Sequence, residues 1–152
     1  VSSPLTKADT GQAAWDTAGA SFGEALAFEF KCAIFAPFFE QHPGLAAPDE
    51  LWTRIRAGKA TLGEAVDALL QTRTGNSGMT KALSAWLYKY RPSLMEVIRI
   101  HGRKLKDANE KRNLAVHGTL DPKEVQELFE FVRMALDAIH KPAAAGSADS
   151  RQ

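Results

Sequence analysis

An arginine and a histidine lie five residues apart near the end of a long helical pattern, at Arg112 and His117. Arginine supplies a permanent, forked positive charge that suits a phosphate group. Histidine is the side chain whose unperturbed pKa lies nearest to working pH, so it both accepts and releases a proton. RNA carries its own nucleophile, the 2′-hydroxyl, beside each phosphate. One group that holds a phosphodiester and one that moves a proton therefore form the minimum set for cleaving RNA without a metal.

Polar side chains accompany this pair on the same helix. Asn109, Asn113 and His117 recur every four residues, so they share one helical face next to Arg112. Arg112 and His117 themselves are roughly 140° apart on an ideal helix, and spacing alone does not bring them to one ligand. Convergence requires the helix to end near His117, where Gly118 permits a turn, or a second copy of the helix in a symmetric dimer.

The same helix carries a seam of residues that are separated by alternating steps of four and three. Such a seam normally faces another helix. Its members are Leu94, Ile98, His101, Leu105, Ala108, Arg112 and Ala115. Because arginine is rarely buried without a partner, Arg112 on this seam indicates either a paired carboxylate or a groove that an anion enters, between helices or between subunits.

Positive charge is concentrated along this helix. Between positions 99 and 112 the cations are Arg99, Arg103, Lys104, Lys106, Lys111 and Arg112, against only Asp107 and Glu110. Such an excess suits an RNA backbone, but a solvated helix face whose dipole favours cations near the C-terminal end explains it equally well. The candidate substrate-binding residues are Arg103, Lys104, Asn109 and Lys111.

The pattern along the chain predicts an all-α protein. Strand signals are nearly absent, and helical spacing of apolar residues predicts a compact bundle of about five helices. The first helix is predicted over 10–35, and Pro37, followed by His42-Pro43-Gly44, is expected to end it. Gly19 and Gly23, four residues apart, would permit another helix to approach closely, and two merely tolerated glycines are an equally good interpretation. Later helices are expected to start at Thr61, Ser93 and Asp121, each with a glutamate three residues further on. Residues 1–9 are predicted to be flexible, 10–140 to form one domain, and 141–152 to form a disordered tail.

Composition narrows the class of protein further. The 152 residues suffice for one domain, and a net charge of +1 gives no global attraction for an anionic partner. The single cysteine, Cys32, excludes an intrachain disulfide and a cysteine-based zinc site. No histidine or carboxylate cluster has metal-ligand spacing, so we expect no metal and no cofactor. We also expect no membrane span, and a cytoplasmic location fits this cysteine usage.

The placement of Arg112, Asn113 and His117 resembles the motif of the HEPN (higher eukaryotes and prokaryotes nucleotide-binding) domain family. That signature is an arginine, often followed directly by asparagine, with a histidine a few residues later, near the end of a long helix that precedes a last amphipathic helix. The Leu-Gly-Glu sequence that ends at Glu64 also looks like many members. The resemblance covers about residues 10–140 and implies a four-helix core. It also implies a metal-independent endoribonuclease that works as a homodimer in a toxin, antiviral or stress-response system.

The resemblance assigns roles to the motif. His117 would act as general acid or base, Arg112 would hold the phosphate, and Asn113 would orient His117 or contact the phosphate. RNA and a second copy of the chain are the expected partners, and an antitoxin or another protein is a further candidate. Two alternatives stay open: a non-catalytic module that dimerises or binds a partner through the seam, and a module that binds RNA or a nucleotide without cleaving it. A further alternative is that His117 only caps the C-terminus of the helix, where a positive charge is favoured.

Overall fold

The computed structural model describes residues 4–118 and 121–141 of the chain. The elements in this part are α1 (Pro4–Glu29), a π-helical turn (Phe30–Phe35), α2 (Ala36–Gln41), α3 (Glu50–Arg56), α4 (Leu62–Gln71), α5 (Gly78–Tyr90), α6 (Pro92–Val116) and α7 (Pro122–His140). Because α1, the π-helical turn and α2 are continuous, these elements form six uninterrupted helical stretches, and the described residues contain no strand. The predicted all-α bundle is confirmed.

Local capping signals fix several helix starts where the sequence predicts them. Thr61 Oγ1 accepts a hydrogen bond from the Glu64 backbone N–H (3.2 Å), and Glu64 Oε1 accepts one from the Thr61 N–H (3.0 Å). At the start of α7, Asp121 Oδ1 accepts a hydrogen bond from the Glu124 N–H at 2.8 Å, and a proline follows Asp121 as the first helical residue. Arg54 Nε donates to Glu64 Oε2 at 2.8 Å, and this bond lowers the pKa of the Glu64 carboxyl.

The start of α6 differs from the prediction. Pro92 is its first helical residue, and Arg91 stands at the cap position with φ −140° and ψ 59° and no side-chain cap. Ser93 therefore lies inside the helix, and the prediction that it caps the helix is wrong. Proline favours this first position because its missing N–H would have no partner there in any case.

The N-terminal helix extends further than predicted at both ends. It begins at Pro4, so the backbone of residues 4–9, predicted to be flexible, is helical. It also passes through Pro37, the first of the two expected stops, and ends at Gln41, directly before the second stop at His42-Pro43-Gly44. A widened turn precedes Pro37: the Ala36 N–H donates to the Lys31 carbonyl, five residues back. Proline is tolerated in the first turn of the segment that follows. Of the tail predicted over residues 141–152, all residues after Lys141 lie outside the described part of the chain.

Helix α6 is the centre of the bundle and packs against α1, α4, α5 and α7. Its seam is buried as predicted: Leu94, Ile98 and Leu105 are completely buried. The helix kinks at His101, where the backbone has φ −115° and ψ 27°. Since helices of the same chain already cover the apolar part of the seam, what α6 offers to a ligand lies on its other faces and at its C-terminal end.

The apolar residues of the described helices pack into this core. None of these helices combines the length and apolar character that crossing a membrane requires.

Candidate functional site

The C-terminal end of α6 presents His117 to solvent. The helix ends at Val116, and the His117 N–H still donates to the Asn113 carbonyl at 3.1 Å. Gly118 follows with φ +74°, a left-handed conformation that glycine adopts without strain. The predicted turn is therefore present, and the exposed imidazole of His117 has no hydrogen-bonding partner among the described residues.

The guanidinium of Arg112 lies beside a carboxylate of α1. Its Nε and Nη2 donate to Glu24 Oε1 at 3.0 and 2.7 Å, and its Nη1 donates to Asn113 Oδ1 at 3.3 Å. The side chain of Arg112 is 26% exposed and that of Glu24 is 61% exposed. The arginine on the seam thus has a paired carboxylate, one of the two explanations that the sequence left open, and both side chains of the pair remain in contact with solvent.

A glycine of α1 makes this arrangement possible. A methyl group at Gly23 would lie 2.7 Å from Arg112 Cβ and closer still to its Cγ, so the aliphatic part of the arginine rests directly on the backbone of α1. The close helix approach predicted at Gly23 is confirmed. This contact holds the Arg112 side chain between α1 and α6, with its guanidinium beside Glu24.

The two asparagines have different surroundings. Asn113 is exposed and holds Arg112 through its side-chain oxygen. Asn109 is half-buried and lies over Gly63 at the start of α4, where an added methyl group would be 3.0 Å from Asn109 Nδ2. Asn113 therefore belongs to the arginine cluster, whereas Asn109 lines the neighbouring surface between α4 and α6.

The three candidate cations do not form one cluster. Lys104 and Lys111 line a cavity of about 370 Å³ between α6 and α7, together with acidic residues of α7. Lys111 Nζ is 3.5 Å from Glu127 Oε2, so its charge is largely balanced. Arg103 lies on a different side of α6, in a groove that α4 borders. The four predicted substrate-binding residues are thus divided between two faces of the helix.

His42 and His140 have local structural contacts. His42 Nδ1 is 3.0 Å from the Phe38 carbonyl, and its ring stacks on that of Phe38. His140 Nε2 is 2.8 Å from Glu29 Oε2. In the described part of the chain, no group of histidine, cysteine and carboxylate side chains is arranged to hold a metal ion.

Glu24 and Arg73 are the site residues that the sequence analysis missed. Glu24 is 88 residues away in sequence from its partner Arg112. Its one available signal was Gly23 beside it, because a close helix approach places the next residue near whatever crosses there. Arg73 follows α4 and lines the groove that holds Arg103.

No protein-family model matches this sequence, and no curated protein or solved structure matches it. The resemblance to HEPN domains therefore rests on the motif residues and their place in the bundle.

Proposed function

We propose that this chain is a metal-independent endoribonuclease of the HEPN type, acting in the cytoplasm as part of a toxin, antiviral or stress-response system. The observation that carries the proposal is the surface at the end of α6. There an exposed imidazole (His117), which has no hydrogen-bonding partner in the part of the chain that the structure describes, follows one turn after an asparagine that holds the guanidinium of Arg112. These are the groups that the reaction requires, and they are accessible to a polymer.

The reaction moves one proton at each end of a displacement at phosphorus. The 2′-hydroxyl oxygen attacks the adjacent phosphorus and loses its proton to a base, while the bond from phosphorus to the 5′-oxygen breaks and that oxygen takes up a proton. The products are a 2′,3′-cyclic phosphate and a 5′-hydroxyl. His117 supplies the base or the acid, a contribution of about 10² to 10⁴-fold for one positioned proton carrier.

Arg112 acts on the phosphate. Its planar fork suits two phosphate oxygens and stabilises the charge of the pentacoordinate transition state. To do so it exchanges the Glu24 carboxylate for the phosphate, and Asn113 keeps one edge of the guanidinium in place during that exchange. An exposed ion pair of this kind is worth at most about 1 kcal/mol, so the exchange is inexpensive.

The second copy of the chain completes the site. Arg112 and His117 point roughly 140° apart on one helix, so a symmetric dimer that faces two α6 ends together would combine the arginine of one copy with the histidine of the other. A protein partner such as an antitoxin would act by covering this surface.

The first test is single-turnover cleavage of a mixed RNA pool in EDTA, with wild type beside His117→Ala and Lys123→Gln as a control for an exposed site on α7. We expect wild type and the control to leave cyclic-phosphate ends and His117→Ala to leave RNA intact at unchanged thermal stability. DNA of the same sequence should stay intact, since it lacks the 2′-hydroxyl. Cleavage of RNA by His117→Ala would show that His117 is not the proton carrier.

A second test addresses the composite site. Inactive Arg112→Ala and His117→Ala proteins are mixed and allowed to exchange subunits. If each site takes one residue from each copy, half of the dimers are mixed and each of these has one intact site, so activity returns to about a quarter of wild type. Mixed dimers without activity would place both residues of a site on one chain.

One observation favours a second candidate function, a non-catalytic module. The ion pair between Arg112 and Glu24 gives the arginine a structural partner within the chain. If Arg112 serves only to join α1 to α6, neither variant affects any RNA cleavage, because there is none, and Arg112→Ala lowers the thermal stability instead.

A further inference from the structure

A second basic surface lies beside the candidate site, in an open groove of about 560 Å³ between the end of α4 and the middle of α6. We call it the α4–α6 groove. Four cations line it, namely Arg73, Arg99, Arg103 and Lys106, and no carboxylate does. Among the residues that the structure describes, none of these four takes part in an ion pair. This contrasts with Lys111 and Arg112, whose charges carboxylates balance.

Arg73, which follows α4, reaches the cations of α6 at Gly102. Gly102 follows the kink at His101, and the space of its missing side chain is filled by the Arg73 guanidinium and by Leu70, whose Cδ2 would be 3.0 Å from an added methyl group. Arg73 thus lies across α6 and joins the other three charges. Four like charges in one groove repel one another, and an anion bound between them relieves that repulsion.

The α4–α6 groove continues towards the end of α6. Lys106 also lines a smaller cavity of about 180 Å³ that reaches Asn109, and two carboxylates, Asp67 and Glu110, border this cavity as well. From there, steps of four along the same helical face lead to Asn113 and His117. At 1.5 Å per residue, Lys106 and His117 are about 16 Å apart along the helix. A chain of phosphates lying on this face would pass both the groove and the imidazole.

We propose that the α4–α6 groove binds the phosphate backbone of the RNA strand and leads it to His117. The identification of the ligand as RNA rests on the proposed function, whereas the groove's affinity for a phosphate chain does not. Arginine forks hold phosphate oxygens in pairs, and contacts to phosphates position a strand without reading its sequence. Ile100, 55% exposed in the same groove, offers apolar surface to a sugar or base.

The test measures binding without cleavage. The probe is a short 2′-O-methyl oligoribonucleotide, which lacks a free nucleophile, and its dissociation constant is measured by fluorescence anisotropy over a range of salt concentrations. The groove variant is Arg99→Gln with Arg103→Gln and Lys106→Gln, three exposed side chains. The control variant removes the same charge from α5 and α7 through Lys81→Gln, Lys123→Gln and Arg133→Gln, all exposed and outside the groove.

The expected difference follows from counterion release. Each phosphate contact adds about 0.7 to the magnitude of the log–log salt slope for a single strand, so the groove variant should lose about 2 from that slope. At about 0.1 M salt this corresponds to roughly a hundredfold weaker binding. The control variant should change affinity less than fivefold. If the triple variant melts early, Arg103→Gln alone should still weaken binding about fivefold.

Several outcomes would overturn the groove, and they differ from those that overturn the enzyme. Equal losses in groove and control variants would show that net charge alone attracts the probe, and an unchanged groove variant would exclude the groove as its site. Either result leaves cleavage by wild type, and its loss in His117→Ala, untouched. Conversely, a groove variant that loses binding while wild type cuts no RNA would support the groove and refute the ribonuclease.

Discussion

Replacing Glu24 by glutamine tests whether the carboxylate beside Arg112 competes with a phosphate. The substitution keeps the size and hydrogen-bonding capacity of the side chain but removes its charge from the 2.7 and 3.0 Å contacts. If RNA must displace this carboxylate, the variant binds RNA more tightly. If Glu24 instead holds Arg112 in its working position, the variant loses activity.

The structure bounds the size of the effect. Glu24 is 61% exposed and Arg112 26%, and exposed pairs are worth at most about 1 kcal/mol because water and salt screen them. Since 1.4 kcal/mol corresponds to tenfold, KM for RNA should fall by about two- to fivefold while kcat stays the same. The same limit on stability means that the melting temperature should fall by no more than about 4 °C.

The assay is steady-state cleavage of a labelled RNA in EDTA, together with a thermal melt. Glu40→Gln is the matched control, because Glu40 is exposed on α2 and its substitution removes the same charge at a site away from Arg112. A lower KM in Glu24→Gln and not in Glu40→Gln supports the competition. Unchanged kinetics in both would refute the reasoning that Arg112 binds the phosphate, and a loss of kcat would make Glu24 a positioning residue.

Three further predictions concern the frame of the site. Gly23→Ala should lower the free energy of unfolding in urea by about 1–3 kcal/mol, because the new methyl group overlaps the Arg112 side chain. Gly44→Ala is the control, because the space around Gly44 is open. A Gly23→Ala protein that is more stable than wild type would contradict the packing of α1 on Arg112. Arg112→Lys should reduce kcat/KM by at least tenfold because it loses the planar fork, and full activity would show that a point charge suffices. Glu64→Gln should reduce stability at neutral pH. Its difference from wild type should narrow as the pH falls through the folded-state pKa of Glu64, which Arg54 holds below the usual 4.5; melts that stay equally far apart in acid would contradict this ion pair.

Features of the fold that depend on near neighbours in sequence could be predicted. The Thr61–Glu64 box, the cap at Asp121 and the turn at Gly118 involve residues at most three positions apart, and each is present. The errors also have local causes. Ser93 was expected to cap α6, but Pro92 before it occupies the first helical position, where its missing N–H costs little. Pro37 was expected to stop the first helix, but it directly follows a π-helical turn that carries the helix past it.

The site itself could be predicted only in part. The motif fixed the helix end and the accessibility of His117. The pairing of Arg112 with Glu24 depends on how α1 crosses α6, and no local pattern encodes a contact over 88 residues. The basic groove likewise depends on Arg73, which reaches α6 at Gly102 from the segment that follows α4. These arrangements come from packing, which spacing along one helix does not describe.

The partners of α1 lie at the far end of the chain, and this order affects how the protein is made. Leu26 of α1 and Phe30 and Ile34 of the π-helical turn are completely buried in the finished bundle, but α1 packs on α6 and α7, which are synthesised long after it. At usual rates of translation, the N-terminal helix waits on the order of ten seconds for them. During that interval its apolar side is a substrate for chaperones. The Arg112–Glu24 pair forms only after α6 has been synthesised, so a nascent chain that stops before α6 carries no complete site.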